Sequence, residues 1–187
     1  PLILLFGVLC ILLDQHRIQP WHYQLIVFAY VFLVAQKKHQ QIWLRAFLIS
    51  IYCYSALGKL DFEFLHTIGP QFLEQLAKFA LLEGQTFSPL QTAALPLCEL
   101  LLALGLLLPK VRSIAACGMC LLHLSLIAIL GPLGLNHSPG VVLWNVHFAG
   151  LVLLLFFRSP PDSARMNEMF SAANLSNYCV GIVLFPI

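Results

Sequence analysis

Leu95-Pro96-Leu97-Cys98-Glu99-Leu100-Leu101-Leu102-Ala103-Leu104-Gly105-Leu106 decides the fold of this chain. A membrane-spanning helix needs about 20 mainly apolar residues, and roughly 17 suffice. This stretch lies inside such a run, 92–108, and carries one carboxylate among leucines. Similar runs lie at about 21–36, 42–58, 113–135 and 140–157. With Leu2–Leu13 the expected count is six. Lipid offers no partner for the amides of an open sheet edge, so the expected class is all-α, a polytopic transmembrane helix bundle.

Composition agrees. Of 187 residues, 60% are hydrophobic and 10% charged, and the mean hydropathy is +0.87. A soluble domain carries roughly 25% charged residues. A formal charge of +2, with no basic block, excludes a nucleic-acid partner and leaves the lipid bilayer as the expected one. The first residue is Pro1 and the last run ends at Ile187, so the sequence reads as a piece of a longer chain, with Leu2–Leu13 half of a longer span. No small-residue cleavage site marks that stretch as a signal peptide. The six cysteines form no soluble disulfide framework.

The expected organisation is N-terminal helices over 1–41, a four-span core over 42–157 and a tail over 158–187. Residues 61–90 form the one long connection. Phe62, Leu65, Phe72, Leu73, Leu76 and Phe79 recur there at near-helical spacing, which predicts amphipathic helices at the interface, broken near Gly69-Pro70. Lys37-Lys38-His39-Gln40-Gln41 reads as a basic turn, and Trp21, Trp43 and Trp144 as interface anchors. Lys37, Lys38, Lys110, Arg112, Arg158 and Arg165 fall on one side, and Arg17, Lys59 and Lys78 on the other. The first side is expected to be cytoplasmic.

A charge near the bilayer centre costs at least ~2.5–3.5 kcal/mol, so each marks a function or a structural pairing. Glu99 lies about 10 Å into its helix at 1.5 Å per residue. Lys59 closes the helix that ends Ser55-Ala56-Leu57-Gly58-Lys59, and pairing with Glu99 would neutralise both. That pair is either the polar core of a site or a structural ion pair. Asn145, Asp14 and Arg17 approach from the same side and are the expected support. Cys117 and Cys120 form a CxxC followed by His123. The pair is redox-active only if its thiolates are stabilised; otherwise these are small buried hydrophobes. His123 is mid-span, either a helix-contact histidine or a site for quinone or proton chemistry. His16, His22, His66 and His137 read as solvated interfacial residues, and no metal site is expected.

Arg45, the Ser55–Leu60 helix end and the Pro96–Leu106 helix resemble the "R … G-x-x-K-L" and "P-x-x-E-x-x-x-G-x-x-L" helices of the DoxX/MauE group of small redox-associated membrane proteins, with Ala56 and Ala103 where those patterns have glycine. The resemblance covers 42–157. It implies electron or thiol-redox transfer at the outer face of a bacterial inner (cytoplasmic) membrane, with a quinone or a redox enzyme as partner. The Cys-rich signature that some MauE-like chains carry late in the core is not evident, and the helices before residue 42 are additional to a four-span core. The Lys59 region also resembles the HTTM group, related to vitamin K-dependent carboxylase, where Lys59 would act as a base. The third reading is a non-enzymatic scaffold or assembly subunit packing through Ala56, Gly58, Ala103, Gly105, Ala115, Ala116 and Gly118. No side chain completes a catalytic constellation.

Overall fold

A computed structural model describes residues 1–13, 20–82 and 84–157. Every regular element among the described residues is helical, as apolar runs flanked by Pro, Gly and Ser require. The elements are α1 (Leu2–Leu13), α2 (Pro20–Val34), α3 (Lys37–Gly58), a π-helical turn (Phe64–Ile68), α4 (Gly69–Phe79), α5 (Pro89–Thr92), α6 (Ala94–Leu107), α7 (Arg112–Leu130) and α8 (Pro139–Val152), which runs into a second π-turn (Leu153–Phe157). Three stretches are long and apolar enough to cross a membrane: Pro89–Leu107, Arg112–Leu130 and Pro139–Phe157. Six spans were expected. α1 and α2 are apolar but have only 12 and 15 residues, and α3, although 22 residues long, opens with Lys37 and Lys38 and carries Arg45.

The chain divides into two compact units, with the boundary between Leu44 and Arg45, inside α3. In the first unit α1 packs on α2. His22 Nε2 donates to the carbonyl of Gly7 at 3.1 Å, so His22 is buried there and is not the solvated residue expected. The basic turn expected over 37–41 is instead the start of α3. The connection shrinks to Ala35-Gln36, and the Gln40 amide reaches back to the carbonyls of Phe32 and Ala35 at 3.3 and 3.2 Å. Those carbonyls lie in the last turn of α2 and just beyond it, where no helical donors are left for them. Trp43 packs with Ala35 and Ile42 in a buried cluster, so it is a core residue and not an interface anchor.

In the second unit α7 packs against α4, α6, α8 and the second π-turn. Small residues make the α6–α7 approach close. A Cβ on Gly105 would stand 2.9 Å from Ala115 Cβ, and one on Gly118 2.5 Å from Leu102 Cδ2. α7 stops at Leu130, short of the expected 135. Gly131 caps it in an extended conformation, and Pro132 has no N–H to extend the ladder. The Leu135 and His137 amides then return to the carbonyls of Ile129 and Leu130.

The expected break near Gly69-Pro70 does not occur. The π-turn passes directly into α4, with Pro70 in the first turn, where its missing N–H costs nothing. Asp61 Oδ1 accepts from the Phe64 amide at the start of this segment. Gly69 has no room for a side chain: a Cβ there would overlap the Thr92 methyl group and stand 2.9 Å from the Phe64 carbonyl oxygen. Phe64–Phe79 is therefore one continuous helical piece seated on α5. Ser88 caps α5 through a reciprocal capping box with Gln91.

Candidate functional site

The last two turns of α3 and the residue that follows them set out the site. Tyr52, Ser55 and Lys59 follow at spacings of three and four, so they share one face. Lys59 Nζ donates to Ser55 Oγ at 2.8 Å and to Glu99 Oε2, on α6, at 2.6 Å. The Glu99 side chain is 7% exposed and that of Lys59 31%. A carboxylate this buried needs a partner cation, and Lys59 supplies it from a side chain that remains partly exposed. Among the described residues, Glu99 Oε1 and the third N–H of Lys59 have no hydrogen-bond partner.

Beside this pair lies a cavity of about 330 Å³. One wall is Phe64, Phe72 and Leu76, from the π-turn and α4. The opposite wall is α6 and α7, with Leu102 and Leu122 among its lining. Cys98 and Ser125 also face it. Apart from the ion pair the cavity is almost entirely hydrocarbon. It can hold a small apolar group while offering one donor and one acceptor at its polar end, the arrangement of an ordinary small-molecule site.

A second polar chain crosses the bundle. Tyr52 Oη and His123 Nε2 are 2.8 Å apart, His123 Nδ1 and Asn145 Oδ1 3.0 Å, and Asn145 Nδ2 donates to the Val141 carbonyl at 2.9 Å. All three side chains are buried. Phe148 packs against both the Tyr52 and His123 rings, with centroids 5.6 Å away in each case. Arg45, also buried, donates from Nε to the Leu155 carbonyl at 2.7 Å and lies 5.4 Å over the Phe156 ring. A π-turn departs from the α-helical pairing of carbonyls, and Arg45 engages one of its carbonyls.

The residues singled out from sequence are thus distributed as follows. Lys59 and Glu99 meet. Asn145 does not join them; it pairs with His123 instead. Asp14 and Arg17 lie outside the described residues, as do Arg158, Arg165 and His16. Cys117 faces outward and Cys120 is half-buried, and both are free thiols. His147, two residues from Asn145, points away and is exposed. No group of three or more His, Cys, Asp or Glu side chains among the described residues could hold a metal ion. Tyr52 was missed by sequence reasoning. Its position seven residues before Lys59, on the polar face of the same helix, is the signal that could have found it.

Residues 26–142 match the family model for the methylamine utilisation protein MauE. The match takes in well over half of the chain, and with it the Lys59 and Glu99 helices. The chain belongs to the MauE family. Together with the three long apolar helices, this makes it a MauE-family membrane protein. Comparisons with curated proteins and with solved structures returned no match.

Proposed function

We propose that this MauE-family chain supports electron or thiol-redox transfer at the outer face of a bacterial inner membrane, with Lys59 and Glu99 as the polar core of its site. On this reading the polypeptide crosses the membrane about six times, residues 42–157 form the four-span core, and a quinone or a redox enzyme is the partner. The 2.6 Å Lys59–Glu99 contact carries the reading, because it opens on a cavity. A pair serving only to fix helix register has no need of unpaired donor and acceptor positions facing an apolar space. The scaffold alternative has the helices pack through Ala56, Gly58, Ala103, Gly105, Ala115, Ala116 and Gly118, of which Gly58 is exposed with open space around it. Gly105 and Gly118 are engaged within this chain, against Ala115 and Leu102, and Ala103 and Ala115 are buried.

The test is purification in mild detergent, an absorbance spectrum and extraction of bound lipophilic cofactors, on the wild type and on Glu99→Gln. A co-purifying quinone lost from the variant supports the proposal. A cofactor-free protein whose folding is unchanged by the substitution supports the scaffold reading.

A further inference from the structure

We infer that the cavity beside Lys59 and Glu99 takes a neutral amphiphile by its hydroxyl head group, with the apolar body lying between α4 and the α6–α7 pair. The inference rests on the same site as the proposed function and specifies the chemistry of its ligand.

Charge comes first. Lys59 and Glu99 together are neutral, and Glu99 is deeply buried. An anionic phosphate or carboxylate head would leave an uncompensated charge in a hydrocarbon-walled space, which disfavours acidic phospholipids and ionised fatty acids. Hydrogen bonding comes second. Glu99 Oε2 and two positions of the Lys59 ammonium are taken up within the protein. What remains is one acceptor, Glu99 Oε1, and one donor, Lys59 Nζ. A hydroxyl satisfies both at once, donating to Glu99 and accepting from Lys59. A carbonyl satisfies only Lys59, and a hydrocarbon neither. Size comes third. A volume of about 330 Å³ is at the small end for ligand sites and suits one ring or a short chain. Phe64 and Phe72, with ring centroids 6.1 Å apart, supply aromatic surface for it. Phenols, hydroquinones and aliphatic alcohols share this chemistry.

Cys98 reports on the cavity because it lines it, whereas Cys117, exposed on α7, does not. The full chain is placed in nanodiscs of zwitterionic phospholipid. Alkylation of both thiols by a maleimide is followed by peptide mass spectrometry with 4-octylphenol, 1-octanol, octyl-1,4-benzoquinone or octylbenzene present. The expected result is saturable, severalfold slowing at Cys98 by octylphenol with Cys117 unchanged. Octylbenzene and the quinone should require at least about tenfold more for the same protection. Equal protection by octanol assigns hydroxyl-headed lipids in general; protection by the phenol alone assigns a hydroquinone-type ligand.

Replacing both charges, as Lys59→Met with Glu99→Leu, should erase the preference for phenol over benzene. Ser125→Phe, which fills the cavity without touching the pair, should abolish protection. Equal protection by octylbenzene, or none by either hydroxyl compound, overturns the inference. If phenol protection holds while the purified protein carries no redox cofactor, the redox reading fails and the ligand assignment stands.

Discussion

Tyr52 on α3 and His123 on α7 are joined by a 2.8 Å hydrogen bond whose direction is set by Asn145. The Asn145 amide nitrogen donates to the Val141 carbonyl, so its oxygen faces the imidazole and accepts from Nδ1–H. Nε2 is then the acceptor, and the Tyr52 hydroxyl donates to it. A neutral imidazole satisfies the whole chain, linking α3, α7 and α8 without placing a charge in the core.

Removing the Tyr52 hydroxyl strands a buried acceptor. Tyr52→Phe is expected to cost about 1–3 kcal/mol, and His123→Phe more, since it strands two groups. The Tyr52→Phe/His123→Phe double variant should cost less than the sum, with a coupling of at least about 0.5 kcal/mol. Thermal melting of the four proteins in one detergent measures this. Strict additivity would mean that the two groups do not share a bond.

The ion pair should respond asymmetrically. Lys59→Met leaves a carboxylate on a side chain that is 7% exposed, whereas Glu99→Gln leaves an ammonium on a side chain that is 31% exposed. The first is expected to destabilise by about 2–4 kcal/mol and the second by about 1 kcal/mol, while the apolar double replacement recovers most of the larger loss. Equal losses for the two single variants would count against the burial difference.

Gly69 and Gly118 separate rigid from yielding contacts. Gly69→Ala drives a methyl group into Thr92 and towards the Phe64 carbonyl, whereas Gly118→Ala meets the end of the Leu102 side chain. The expected losses are about 2–3 kcal/mol and below about 1 kcal/mol. Melting temperatures in a common detergent order the two.

The CxxC should be dispensable. Cys117 faces outward and Cys120 packs as a small apolar residue. Cys117→Ala, Cys120→Ala and the double variant are expected to change neither melting temperature nor cofactor content by a measurable amount. Loss of bound cofactor in the double variant alone would return these thiols to the site.

Sequence made Lys59 and Glu99 conspicuous because charge in an apolar run has a cost that only a partner removes. It could not supply Tyr52, which looks apolar until its hydroxyl is placed, nor separate Asn145 from the ion pair, because helix rotation decides which face a lone polar residue joins. Trp43 and His22 were misplaced for a related reason: an amphipathic side chain suits an interface or a core, and only its neighbours choose. Pro70 misled because proline breaks a helix interior but is tolerated in a first turn. Among the described residues the apolar runs located the long apolar helices, with end errors at Gly131-Pro132 and at Lys37–Gln41, where polar residues continue a helix.

The continuity of Phe64–Phe79 also has a mechanical consequence. Phe64, Phe72 and Leu76 stand on one continuous helical backbone, so any displacement of that backbone moves all three. The cavity wall is thereby a single part, anchored where Gly69 meets Thr92 and where α4 packs on α7.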